Sequence, residues 1–236
     1  MKILVIPDVH LKPDMFVRAG ELMRKGIADN AVCLMDIPDD WKKQYCIEEY
    51  ERTFDAAITF AREYPYSLWC YGNHDLSYVW NERESGYSPI APALVCKKLN
   101  ELNAILLSKK QMSYIHAIDN VLFSHGGLSD YFVKQHVPTS RSNDVFAVVE
   151  TVNSLDHYDL WCDDSPIWYR PQYYRGKMYK PRKCFQVVGH TPVKGITKCG
   201  NILSCDVFST YQDGTPIGTQ EFVIIDTITW EYYGIK

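Results

Sequence analysis

The chain alternates short apolar runs with stretches of helical periodicity. Apolar runs of four or five residues occur at 3–6, 31–35, 67–71, 104–107, 120–124, 185–188 and 222–225. Their length and their β-branched or aromatic content predict buried strands. In 14–28, Phe16, Ala19, Leu22, Met23 and Ile27 recur at three- and four-residue intervals. Ile47, Tyr50, Phe54, Ile58 and Ala61 do so in 47–63, the spacing of helices with one buried face. The first half therefore reads as strand alternating with helix, and the last forty residues as strand-dominated. Ile224 to Trp230 predicts a closing hairpin with Asp226-Thr227 near its turn. The economical architecture is an α/β sandwich in a single domain spanning 1–236.

Composition narrows the class without naming a chemistry. A chain of 236 residues, 46% hydrophobic and 23% charged, is an ordinary globular sequence that can bury its own core. The net charge of −4 supplies no field for strong nucleic-acid or anionic-membrane binding. One local exception is a basic run, Arg175, Lys177, Lys180, Arg182 and Lys183, interleaved with Tyr173, Tyr174 and Tyr179. It reads as a solvated loop, or as a positive rim for phosphorylated substrates. The eight cysteines form no C-x-x-C pair, which speaks for buried free thiols in a reducing compartment. No run of 18 apolar residues occurs, and Met1 to Pro7 is too short for a signal peptide. A cytoplasmic protein with no membrane contact is expected.

The candidate chemistry lies where the predicted strands end. The first leads into Asp8-Val9-His10, the second into Asp36-Ile37-Pro38-Asp39-Asp40, and the third into Gly72-Asn73-His74-Asp75. Val121 to Ser124 leads into His125-Gly126-Gly127, and Phe185 to Val188 into Gly189-His190-Thr191-Pro192. Five strands thus deliver Asp, Asn or His at their carboxyl ends, the edge where α/β sheets bind ligands. Carboxylate, imidazole and amide oxygen make a mixed O/N donor set suited to manganese, iron, zinc or magnesium. An Asp-x-His pair alone is a weak signal, and isolated His116 and His157 receive no role. Five such ends in one chain are a strong one.

In this order the motifs resemble the calcineurin-like metallophosphoesterase superfamily. Ser124-His125-Gly126-Gly127-Leu128-Ser129 and Ser165-Pro166-Ile167-Trp168-Tyr169-Arg170 are similar to its bacterial and phage phosphoprotein phosphatase (serine/threonine phosphatase) branch. The resemblance runs from residue 4 to about 206. It implies a β-sandwich flanked by helices and two divalent metal ions, manganese first among the candidates. Asp8, His10 and Asp36 would hold one ion, and Asp36, Asn73, His125 and His190 the other. It further implies direct attack on phosphorus by a metal-bridging hydroxide, with the metals about 3.5–4 Å apart. His74 would be the general acid, Asp39 its orienting carboxylate, and Arg170 the phosphate clamp.

Three positions depart from the family pattern. Leu11 follows the first histidine and Met35 precedes the bridging aspartate, both where the family carries glycine. Asp40 stands where the phosphoprotein phosphatases place an arginine that grips phosphate. A carboxylate cannot donate to phosphate, so Asp40 is expected to face solvent or to pair with His74, with Lys42, Lys43 or the basic run supplying the missing charge. Hydrolysis of phosphate monoesters, including phosphoserine and phosphothreonine, is the leading reading. A phosphodiesterase or dinucleoside-polyphosphate hydrolase is the enzymatic alternative. A non-catalytic scaffold is the third, opposed by the presence of all six expected ligand side chains.

Overall fold

The apolar runs pair into two stacked sheets in a computed structural model that describes residues 1–174 and 176–236. Its strands are β1 (Lys2–Ile6), β2 (Asn30–Cys33), β3 (Leu68–Cys70), β4 (Met112–Ser113), β5 (Ile115–Ile118), β6 (Val121–Ser124), β7 (Phe185–Val188), β8 (Thr197–Cys199), β9 (Ile202–Ser204), β10 (Phe222–Asp226) and β11 (Tyr232–Ile235). Its helices are α1 (Asp14–Arg24), α2 (Ile47–Glu63), α3 (Asn73–Val79), α4 (Pro92–Ile105), α5 (Asp130–His136), α6 (Val145–Val152) and α7 (His157–Leu160). One sheet has the order β11-β10-β1-β2-β3-β4 and the other β5-β6-β7-β9-β8.

Alternation along the strands explains the layering. Ile3, Val5, Val32, Leu34, Val223 and Ile225 point into the space between the sheets, where Val121, Phe123, Phe185, Val187 and Leu203 meet them. The intervening Leu4, Ile6, Ala31 and Cys33 face the other way, onto Phe16, Ala19, Tyr50, Phe54 and Val95 of the helices. On the outer face of the second sheet Leu122 packs with Phe132, Val133, Val148 and Val152. Two-residue periodicity on both faces of a sheet thus yields the order helix, sheet, sheet, helix.

The predicted helices form around the expected faces. α1 buries Phe16, Ala19 and Leu22, with Asp14 in its first turn and Arg24 in its last, charges that suit the helix dipole. α2 buries Tyr50, Phe54, Ile58 and Ala61 and places Glu48 and Glu49 at its start. β1, β2 and β3 run parallel, joined through α1 and α2. The closing hairpin forms as expected: β10 pairs antiparallel with β11, and Asp226 Oδ1 accepts the N–H groups of Ile228 and Thr229 in the turn.

One predicted strand is wrong. Residues 104–107 are not extended within a sheet; they contain the end of α4, whose buried positions are Val95, Leu99 and Leu102. A four-residue apolar run cannot distinguish a strand from the last turn of a helix. The three- and four-residue spacing upstream decides here, with Pro92 opening the helix. Among the described residues no helix is long and apolar enough to cross a membrane. All eight cysteines are unpaired.

Candidate active site

Parallel strands bring their carboxyl ends to one edge of each sheet, and the sandwich brings the two edges together. β1, β2 and β3 pair in register there, as do β6 and β7. Asp8, His10, Asp36, Asn73 and His74 therefore come from one sheet, and His125 and His190 from the other. The backbone turns sharply to present them. His10, Met35, Asp36, Asp39 and His190 have φ of 43°, 55°, 44°, 65° and 62°, in the left-handed region that non-glycine residues rarely occupy. Such a concentration of unfavourable backbone is typical of functional loops, where surrounding contacts over-determine it.

Asp36 is the hub. Its Oδ2 lies 3.0 Å from His125 Nε2 and 3.9 Å from His10 Nε2, and its Oδ1 accepts the His74 backbone N–H at 2.9 Å. Its donor atoms group with those of His10 and His74 on one side and of His125 and His190 on the other. Asn73 Oδ1 lies 3.2 Å from His125 Nε2. Asp8, expected beside His10, places Oδ2 3.8 Å from His125 Nε2 and accepts the His190 N–H at 2.8 Å. Backbone carbonyls fix two imidazoles: Leu34 O takes His125 Nδ1–H at 2.9 Å, and Asp39 O takes His10 Nδ1–H at 3.0 Å. That arrangement leaves each Nε2 to face the carboxylates, as a carbonyl that takes the other ring N–H does for a metal-binding histidine.

The residues fit a divalent metal pair. Around His125 Nε2 stand Asp36 Oδ2, Asn73 Oδ1 and His190 Nδ1, all within 3.2 Å, more lone pairs than one N–H can satisfy. Asp8 Oδ1 and His190 Nε2 are buried without any hydrogen-bond partner, a cost that a cation would remove. Space is reserved for the carboxylates as well. A Cβ on Gly72 would collide with Asp36 Oδ1, and one on Gly189 with Asp8 Oδ1.

The local electrostatics show how strained this cluster is. Burial pushes the Asp8 carboxyl well up, with Asp206 and Asp36 adding to the effect. Burial would raise Asp36 too, but His125, His74 and His10 outweigh it and hold the carboxylate below its ordinary range. Against the penalty of burial, Asp36 and Asp8 lift His125 to about 10. Burial lowers His10 to about 4, although Asp36 opposes the shift. Burial, His125 and Arg170 push His190 well down.

His74 and Asp39 form a second unit beside the hub. His74 Nδ1 donates to Asp39 Oδ2 at 2.9 Å. Asp39 Oδ1 accepts the hydroxyls of Tyr50 and Tyr78. Burial alone would lower the His74 pKa, but Asp36 and Asp39 raise it to about 9. His74 lines a cavity of about 250 Å³ together with His10, Asp36, Asn73, His190 and Arg170. Arg170 Nη1 donates to His190 O at 2.7 Å and lies 3.2 Å from Thr191 Oγ1, so the predicted clamp sits at the cavity wall.

Other expectations need correction. Asp40 neither faces solvent nor pairs with His74; it lies 3.0 Å from Lys43 Nζ and 4.0 Å from Lys12 Nζ. The described residues of the basic run do not line this cavity. Lys177 pairs with Asp130 and Lys180 with Asn143 O, and none of Lys177, Lys180, Arg182 or Lys183 lines it. Arg175 lies outside the described residues.

Sequence reading missed Asp75, whose two oxygens accept the N–H groups of Asp36, Ile37 and Gly72 and so clamp two motif loops together. Burial and Asp36 raise its pKa to about 7. The signal was present in Gly72-Asn73-His74-Asp75. Tyr50 and Tyr78 carried none, because both look like core positions of their helices. Asp206, buried at the cavity wall and accepting from Ser209, also went unassigned.

No curated protein matches the chain. Among solved structures it is similar to a cold-active protein-tyrosine phosphatase of a psychrophilic Shewanella species, at 17% identity and a TM-score of 0.63, over 100% of this chain and 80% of that one. A second structure of a cold-active protein tyrosine phosphatase gives 17% identity and 0.56, over 95% and 73%. An archaeal phosphodiesterase gives 15% and 0.42, over 100% and 99%. At such identities the likeness to the two tyrosine phosphatase structures is one of fold. The family match is of another order: residues 1–215 fit the calcineurin-like phosphoesterase family, and the remainder completes the first sheet with β10 and β11. With this sandwich and this donor set, the chain belongs to the calcineurin-like phosphoesterase family and is a metal-dependent phosphoester hydrolase.

Proposed function

We propose that the chain hydrolyses phosphate monoesters, with phosphoserine, phosphothreonine and small phosphomonoesters as the substrate class. One protein of similar fold is a protein-tyrosine phosphatase, which adds aryl phosphates to the class worth testing. The observation that carries the reading is the place of His74, tied to buried Asp39 and lining one cavity with Asp36 and Asn73. In this reading Asp8, His10 and Asp36 hold one cation, and Asp36, Asn73, His125 and His190 hold a second. When bound, such a pair lowers the pKa of water and offsets charge on phosphoryl oxygens; manganese is the first candidate.

The chain's own groups do the rest. His74, kept cationic by Asp36 and Asp39, donates its Nε2 proton to the ester oxygen as the P–O bond breaks. Asp39 holds the ring in place through Nδ1. Arg170 spends Nη1 on His190 O and Thr191 and keeps further N–H donors for a phosphoryl oxygen. A diester reading draws on one observation: among the described residues Arg170 is the one lysine or arginine lining the cavity, and a diester carries less charge.

The test is turnover of para-nitrophenyl phosphate and its bis ester by manganese-reloaded protein, alongside Asp36→Asn and His74→Asn. Monoester hydrolysis abolished by Asp36→Asn, and slowed in His74→Asn with metal retained, is the expected result. Preference for the bis ester would move the substrate class to diesters or nucleotides. Absence of both metal binding and turnover would leave a scaffold.

A further inference from the structure

A proton donor works only while its ring is held at a productive angle, and a carboxylate free to rotate cannot hold it. Asp39 Oδ2 accepts His74 Nδ1–H at 2.9 Å, so whatever fixes Asp39 also fixes the imidazole. Its Oδ1 accepts two phenol hydroxyls, Tyr50 at 2.8 Å and Tyr78 at 2.5 Å. Both tyrosines are buried, at 0% and 4% exposure. Asp39 and His74 line the cavity, and neither tyrosine does.

The two hydroxyls come from separate elements. Tyr50 belongs to α2 and Tyr78 to α3, the helix that opens with Asn73 and His74. Tyr78 follows His74 by one helical turn, so the two side chains share a face and one carboxylate bridges them. Tyr78 Oη also accepts the Ser88 N–H at 2.7 Å. A phenol has a single O–H, and that contact leaves its proton for Asp39. Burial and the Asp39 charge push both phenols above their ordinary range, so each stays a neutral donor. Among the described residues these hydroxyls are the only side-chain or backbone donors to Oδ1. Without them a buried, charged oxygen is left to turn toward another N–H.

We propose that Tyr50 and Tyr78 are positioning residues, which together lock the Asp39 carboxylate in the rotamer that holds the His74 ring. The assignment rests on the general-acid reading above and adds a consequence to it. The tyrosines matter in proportion to the departing oxygen's need for a proton. Esters with poor leaving groups depend on them, and esters with good ones do not.

The experiment compares phenyl phosphate, a poor leaving group, with 2,4-dinitrophenyl phosphate, a good one, on manganese-loaded protein. In the double variant Tyr50→Phe, Tyr78→Phe, kcat for phenyl phosphate should fall about ten- to a hundredfold, part of what a positioned acid supplies. The dinitrophenyl ester should lose less than about threefold, and both KM values should stay within about twofold. Each single variant keeps one hydroxyl on Oδ1 and should lose far less than the pair. Tyr87→Phe, whose ring stacks on that of Tyr78 at 4.4 Å, serves as the control. Added to His74→Asn, the double substitution should cost nothing further, a result that loosened packing alone would not give. Equal losses on the two esters, or a further loss in the His74→Asn background, overturn the assignment. If His74→Asn itself slows both esters equally, or the unsubstituted protein turns over neither, the general-acid reading fails instead. The His74 Nδ1–H signal of metal-free protein then decides the lock by NMR: its exchange with water should quicken in the double variant, and unchanged exchange overturns the assignment.

Discussion

His74 Nδ1 stands 2.9 Å from Asp39 Oδ2, and the other oxygen of that carboxylate is taken by the hydroxyls of Tyr50 and Tyr78. With both oxygens engaged and the side chain 1% exposed, Asp39 has no freedom to turn away from the imidazole. Against burial, Asp36 and Asp39 together raise the His74 pKa to about 9, and a protonated imidazole in the neutral range is what the general-acid role proposed for it requires.

In metal-free protein the His74 imidazole should stay protonated until pH approaches about 9, read by ¹⁵N NMR of the histidine ring. Asp39→Asn removes one of the two charges that raise it, so the titration should move to lower pH. His74→Asn should slow monoester turnover by about 10²–10⁴-fold while metal content is kept. A His74 that titrates at the same pH in Asp39→Asn would show that the pair is not coupled.

Gly189→Ala and Gly72→Ala each place a methyl group where a carboxylate of the donor cluster now sits. Both should empty the site of metal, measured by elemental analysis after equilibration with manganese. The circular dichroism spectrum should persist, since the displaced groups belong to loops rather than to the core. Full metal occupancy in Gly189→Ala would mean that Asp8 is not a ligand.

Leu11 has a φ of 54° and is 1% exposed. Replacing it by glycine relieves a left-handed conformation worth about 1–2 kcal/mol. It also removes a buried leucine side chain, where even truncation to alanine costs about 2.7–5.0 kcal/mol. The cavity term is larger, so Leu11→Gly should lower stability by about 1–4 kcal/mol in urea titration. A stabilised variant would show that backbone strain outweighs packing at this turn.

His116 is buried on β5 with Nε2 3.1 Å from Trp69 O, and burial lowers its pKa to about 4. The unfolded chain takes up this proton near pH 6.5, while the folded chain resists it. Its contribution is therefore complete above pH 6.5 and is lost as pH falls from there toward 4. From pH 7 to pH 5 the loss should be about 2 kcal/mol, measured by denaturant titration at the two pH values. His116→Gln should lose less stability over that interval than the unsubstituted protein, and an equal loss would assign the acid sensitivity to other groups.

The strands and their chemistry were legible because both are local. Four apolar residues followed by Asp, Asn or His can be read without knowing what lies across the sheet, and each of the five motif strands forms where it was expected. The run at 104–107 failed for the same reason, since its four residues say nothing of the helix upstream that claims them.

What local sequence determined was an α/β sandwich with acids, an amide and imidazoles at the carboxyl ends of particular strands. Tertiary structure alone decided which of them meet. Asp40 reads as a carboxylate facing solvent or His74 until Lys12 arrives from another loop, and Tyr50 and Tyr78 read as core until both hydroxyls reach Asp39. Leu11 and Met35 stand where the family carries glycine, but their own side chains argue against left-handed backbone, and only the packing that buries them makes it tolerable. Pairings between segments distant in the chain depend on strand register and loop closure. Those are properties of the assembled sheets, which no single segment encodes.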